Sequence, residues 1–203
     1  MHPPATLAAR LSATCPASLP AALLCALWAA TAQAAPVAYD LQADQSTVGF
    51  ETDFGPDHIT GAMPVKSARL ILDFDQATNS VIDVALDVAH ANASFPFAAQ
   101  AMKGPKVLDA AAFPEMTFRS SGITRQGDGA NVQGDLTIRG VTRPVTLAAT
   151  IFRQQGRDAG DLSHLTVLLK GKLNRSDYGA TGWHDMVGDE VRLTITARIA
   201  KAD

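Results

Sequence analysis

Beyond the first few residues the histidines are His58, His90, His164 and His184, and two of them adjoin an aspartate: Asp57-His58 and His184-Asp185. A His–Asp pair is the start of base-assisted nucleophilic chemistry, which also needs a serine or cysteine within reach of the imidazole. No Gly-x-Ser-x-Gly elbow is present. Both cysteines, Cys15 and Cys25, fall within the first 34 residues, so Cys–His chemistry is excluded for the rest of the chain. The histidines show no His-x-x-x-His or comparable spacing, which argues against a metal ligand set. Surface histidines beside turn aspartates are therefore the expectation, with no catalytic residue, no metal and no cofactor. Arg139, Arg143 and Arg175 offer a second chemistry, because a guanidinium presents paired donors to phosphate oxygens. An ion pair is the alternative. It is favoured for Arg175, two residues from Asp177 in a polar turn, and both readings stay open for the other two.

Any such group must be positioned by strands, since alternation of period two dominates the sequence. In Gly134-Asp-Leu-Thr-Ile-Arg-Gly-Val-Thr-Arg-Pro-Val-Thr-Leu147, Leu136 and Ile138 share one face, as do Val145 and Leu147 after a break at Gly140. This is a hairpin, with Pro144 expected at a strand start because it lacks an N–H. Leu70, Leu72 and Phe74 share a face, as do Ile82, Val84, Leu86 and Val88 across the Ala77–Ser80 turn. Glu115–Ile123, Ala130–Arg139, Leu162–Leu173 and a final strand bearing Val191, Leu193, Ile195, Ala197 and Ile199 complete the series. Tyr39–Phe50 and His58–Met63 are read as a lead-in with its strand and a short edge strand. Alternation fails only over 95–112. There Ala98–Lys103 is helix material, Gly104-Pro105 stops it, and Lys106–Ala112 is expected to add a turn or two. Eight or nine antiparallel strands in one domain fit a barrel or a sandwich, and pattern alone leaves both open.

The chain has 203 residues, 47% hydrophobic and 18% charged, ordinary values for a globular domain. Its first 34 residues read as a secretory signal peptide: Arg10, no acid, an apolar run from Leu19 to Ala30, and Ala32-Gln33-Ala34 as the cleavage site. The run is too short to span a membrane, which takes about 20 residues. Leu24 before Cys25 argues against a lipoprotein site. The domain proper is then 35–203, thiol-free and exported. Without Arg10 it carries 16 basic residues against 20 acidic, net −4, and no basic run, which excludes nucleic acid as a partner.

Several segments, taken in order, resemble the YceI-like family of exported polyisoprenoid- and lipid-binding proteins. They are Val107-Leu108-Asp109 with Phe113-Pro114-Glu-Met-Thr-Phe118-Arg-Ser120, the Gly134–Val145 hairpin, Asn174-Arg175-Ser176-Asp177-Tyr178-Gly179, and Gly188-Asp189-Glu190-Val191. The resemblance implies a mainly β fold: a lipocalin-like antiparallel barrel of about eight strands with a helical insertion near 95–112. It further implies a polyisoprenoid or other amphiphilic lipid held inside, and a periplasmic location. Two departures bear on head-group choice. Gln45 replaces a histidine common in the family, and 95–106 lacks a basic-acidic-histidine-leucine signature.

Burying each five-carbon unit of such a chain is worth roughly 3–4 kcal/mol at ~0.8 per carbon. Apolar walls therefore suffice without catalytic groups. The expected lining is Phe50, Leu70, Leu72, Phe74, Val84, Leu86, Phe97, Met102, Met116, Phe118, Leu136 and Ile138, with Arg139 near an anionic head. The bland counterpart is a solid core built from the same faces. Trp183, in a glycine-flanked loop, is read either as a flap over a barrel mouth or as ordinary packing. Competing functions are an enzyme acting on such a lipid and a stress or adhesion module with a packed core. Transient membrane contact and a homodimer formed through an exposed strand edge are both compatible with the pattern.

Overall fold

The computed structural model describes residues 35–202 apart from 154, 155, 157 and 159. The signal-peptide reading concerns residues 1–34 and lies outside the described residues. Eleven strands form one antiparallel sheet: β1 (Val37–Leu41), β2 (Thr47–Phe54), β3 (Asp57–Met63), β4 (Val65–Leu72), β5 (Val81–Asp87), β6 (Asn92–Ala93), β7 (Glu115–Gln126), β8 (Gly129–Ile138), β9 (Val141–Arg153), β10 (His164–Asn174) and β11 (Val187–Lys201). The order β1-β4-β5-β7-β8-β9-β10-β11 closes through β1–β11 pairing, with Leu41 opposite Ile199. The fold is thus an eight-stranded barrel, and the sandwich alternative is set aside.

The eleven stretches fill eight positions because two long strands are broken and β6 shares a position with β5, each flanking one half of the β3–β4 strand. β1 and β2 run along β11 in sequence, interrupted by a 3-10 turn at Ala43–Gln45. β3 and β4 are likewise split at Pro64, where a missing N–H cannot serve a ladder. Tiny β6 pairs only with β3 and forms the one free edge of the described sheet.

The hairpin between β8 and β9 turns at Arg139 and Gly140, both with positive φ (52° and 75°), as a two-residue type I′ turn requires. Pro144 is not at the strand start; it lies three residues inside β9. Pairs exchanging both bonds alternate from Ile138–Val141, so Pro144, opposite Asp135, directs its missing N–H away from β8. On that side β10 begins to pair only at Ala148, so no bond is lost. A bulge between Ser120 and Gly122 in β7 shifts the register and reverses which residues face inward. Gly134 is required for space, since a Cβ there would lie 2.5 Å from the Phe118 ring.

The only helix longer than a turn among the described residues is α1, Pro96–Lys103, started by proline at its first position and stopped at Gly104. Residues 104–112 do not resume the helix. They form successive turns tied by Leu108 N–H to Met102 O and Phe113 N–H to Asp109 O. One end of the barrel, the lid end, therefore carries α1 with its turns and the 175–186 loop. The other, the hairpin end, carries the β4–β5 turn, the β7–β8 turn and the β9–β10 connection.

Candidate functional site

The inward faces do not meet in a solid core. They enclose a cavity of about 600 Å³ running from the lid end to the hairpin end, within the range of roughly 300–1,000 Å³ typical of small-molecule sites. Phe50, Leu70, Leu72, Phe74, Val84, Leu86, Phe97, Met102, Met116, Phe118, Leu136 and Ile138 all line it. So do Val48, Leu147, Ile151, Val167, Leu193 and Ile195, which the sequence reading left out. Closure of the barrel explains them: every strand contributes its inward face.

Polar groups of the wall towards either end are largely engaged within the protein. Thr52 Oγ1 donates to Gly188 O or Glu190 O across the β11 bulge. Asp73 accepts backbone N–H bonds from Asp75 and Gln76 and one from Asn79 Nδ2. Those bonds hold its carboxyl below the usual range, so it is ionised. Burial holds the Tyr178 phenol above its ordinary value, which keeps it neutral. No buried side-chain nitrogen or oxygen among the described residues lacks a partner. A molecule in the middle of this cavity meets hydrocarbon.

At the lid end Phe97 and Trp183 meet edge-to-face, centroids 6.5 Å apart, and both line the cavity while remaining 61% and 47% exposed. The loop bearing Trp183 is thus a partial cover contacting α1. Three arginines build this cover. Arg175, only 8% exposed, donates to the carbonyls of Ala180 (2.6 Å), Gly182 (2.7 Å), Val187 (2.9 Å) and Gly188 (2.9 Å). Neither the ion pair with Asp177 nor a phosphate contact is its role; the loop needs its donors, and desolvation lowers its pKa. Arg143 donates to Asp177 O. Arg139 is not in the cavity wall. Its guanidinium donates to Val107 O and Gly179 O, both at 2.9 Å, joining the turns after α1 to the 175–186 loop. Gly182 N–H to Lys106 O adds a third tie.

Among the described residues no histidine lines the cavity. His58 bonds across its hairpin to Asp53 (3.0 Å) rather than to adjacent Asp57, within an exposed network with Arg192 and Glu51. His184 lies 3.0 Å from Asp185 with both side chains exposed. Gln45 also lies outside the wall and accepts from Arg198.

Comparison with known proteins places this geometry. The model of a family described as YceI-like domain matches residues 39–199. Protein YceI of Salmonella arizonae is 25% identical over 167 residues, 82% of this chain and 87% of that protein. Burkholderia cenocepacia BcnA superposes with a TM-score of 0.69 at 24% identity, over 78% of this chain and 99% of that one. A polyisoprenoid binding domain from Saccharophagus degradans shares the fold at TM-score 0.56 and 12% identity, covering 82% and 99%.

Proposed function

Because the chain belongs to the YceI-like family, we propose that it is an exported, non-enzymatic protein that carries or sequesters a long isoprenoid or fatty amphiphile inside its barrel. The observation that carries this reading is the cavity itself: about 600 Å³, walled by aliphatic and aromatic side chains, with the polar groups Thr52, Asp73 and Arg175 bonded within the protein. A hydrocarbon chain placed there loses only water, and its transfer stabilises the complex by roughly 0.8 kcal/mol per carbon. Met102 and Met116 suit an irregular, branched chain because a thioether side chain adapts to gaps. Absence of a histidine from the wall favours binding over acid–base turnover. The twelve apolar positions expected from the sequence are the proposed contacts, and Arg139 acts on the ligand indirectly, by fixing the cover. The polyisoprenoid-binding description of the Saccharophagus degradans domain agrees with this ligand class.

Native mass spectrometry of protein recovered from the periplasm, with organic extraction, tests the reading. A stoichiometric isoprenoid or fatty adduct on a chain starting near Ala35 is expected. Failure to bind added prenols and fatty acids alike would return the protein to the class of interaction modules.

A further inference from the structure

The described arginines divide sharply by partner. Arg69, Arg119 and Arg192 pair with carboxylates. Arg139, Arg143 and Arg175 are spent on backbone carbonyls, and Arg198 on Gln45. Arg125 and Arg153 alone have no hydrogen bond or ion pair among the described residues. Both line the cavity, and both stand at its hairpin end.

Strand geometry explains why they face it. Past the β7 bulge the inward residues are Ile123 and then Arg125. In β9 the inward series Val145, Leu147, Ala149, Ile151 ends on Arg153. Each guanidinium is thus the last inward side chain of its strand, where the hydrocarbon wall gives way to water. Resting on the reading of the cavity as a lipid site, we propose that Arg125 and Arg153 form the head-group subsite for an anionic amphiphile, one bearing a phosphate or carboxylate. A guanidinium donates two parallel bonds to such oxyanions, and its delocalised charge is cheaply dehydrated compared with an ammonium. Asp73 at this end bonds to the Asp75 and Gln76 N–H groups and to Asn79 rather than to either arginine, but it stays ionised and opposes an anion. Asp128 and Asp75 also line this end and oppose an anion, which limits the gain from the arginines.

The placement fixes a direction. An ionised head cannot cross the apolar middle without losing its hydration uncompensated. The chain therefore threads tail first from the hairpin end, leaving its head at the rim and its tail towards Phe97 and Trp183.

Native mass spectrometry titrations with geranylgeranyl phosphate, geranylgeraniol and palmitate test this on the wild type and on Arg125→Gln/Arg153→Gln. Both positions are exposed strand ends, so an unchanged melting temperature verifies folding. The wild type is expected to bind at least one anion roughly tenfold tighter than the prenol, a preference lost in the double variant and weakened by salt, while prenol binding stays unchanged. Dependence confined to the phosphate, or to palmitate, names the head. Equal effects on all three ligands, or none, would overturn the subsite while leaving the cavity a lipid site. A wild type that binds none of the three would overturn both.

Discussion

The two ends of the barrel use arginine in opposite ways. At the lid end, Arg175 gives four hydrogen bonds to backbone carbonyls of the 175–186 loop and the start of β11, and Arg139 bridges two segments. At the hairpin end, Arg125 and Arg153 border the same cavity and bond to nothing among the described residues. A buried guanidinium can substitute for secondary structure, satisfying carbonyls that an irregular loop leaves over. An exposed one at the rim of an apolar channel keeps its donors for a ligand. Residue type does not tell these roles apart; the supply of competing acceptors does.

Arg175→Ala should show the contrast most strongly. It strips four carbonyls of their donor in a largely buried site, and a loss of about 3–5 kcal/mol is expected in urea denaturation. Arg125→Ala and Arg153→Ala should each stay within about 0.5 kcal/mol of the wild type. Equal losses at both ends would erase the distinction. Phe118→Asp acts between the ends, placing an unpaired carboxylate on the hydrocarbon wall. Lipid uptake should be abolished in titrations while the barrel's circular dichroism signature is retained, and a folded variant that still binds would remove Phe118 from the wall.

Arg139→Ala should cost about 1–2 kcal/mol, with faster amide exchange confined to 104–112 and 176–183. Type I′ turns favour asparagine at this position. An arginine held at positive φ is consistent with selection for the two bonds it makes rather than for the turn. The smallest effect concerns acid. Asp73 has a lowered folded-state pKa, so its contribution is present above the unfolded value of about 3.9 and is lost as pH falls through the folded one. Melting curves of Asp73→Asn below about pH 4 should therefore fall less steeply than those of the wild type.

Much of this was legible in the sequence. Alternation located the strands and ten of the twelve apolar positions, the helical insertion supplied Phe97 and Met102, and all twelve line one cavity. Whether that space is hollow was not legible, because alternation is identical around a filled core and a channel. Arg125 was hidden by the β7 bulge: continued alternation from Met116 and Phe118 would turn it outward. Arg153 needed no hidden feature. It continues an unbroken inward series, and a charge at the end of an apolar face reads naturally as the strand leaving the core. The role of Arg175 was not legible because its carbonyl partners lie 5 to 13 residues away, in a loop without periodicity and at the start of the strand after it.

Trp183 lines the lid end of the cavity, so its fluorescence reports where a bound chain places its ends. The direct measurement is quenching by two nitroxide-labelled fatty acids, one labelled beside the carboxylate and one at the chain terminus, with Trp183→Phe to subtract any signal from Trp28. A ligand lying tail-up in the barrel predicts strong, saturable quenching by the terminal label and weak quenching by the label near the head. Stronger quenching from the head-proximal label would reverse the ligand and contradict the two-ended channel, and no saturable quenching by either would contradict the channel itself.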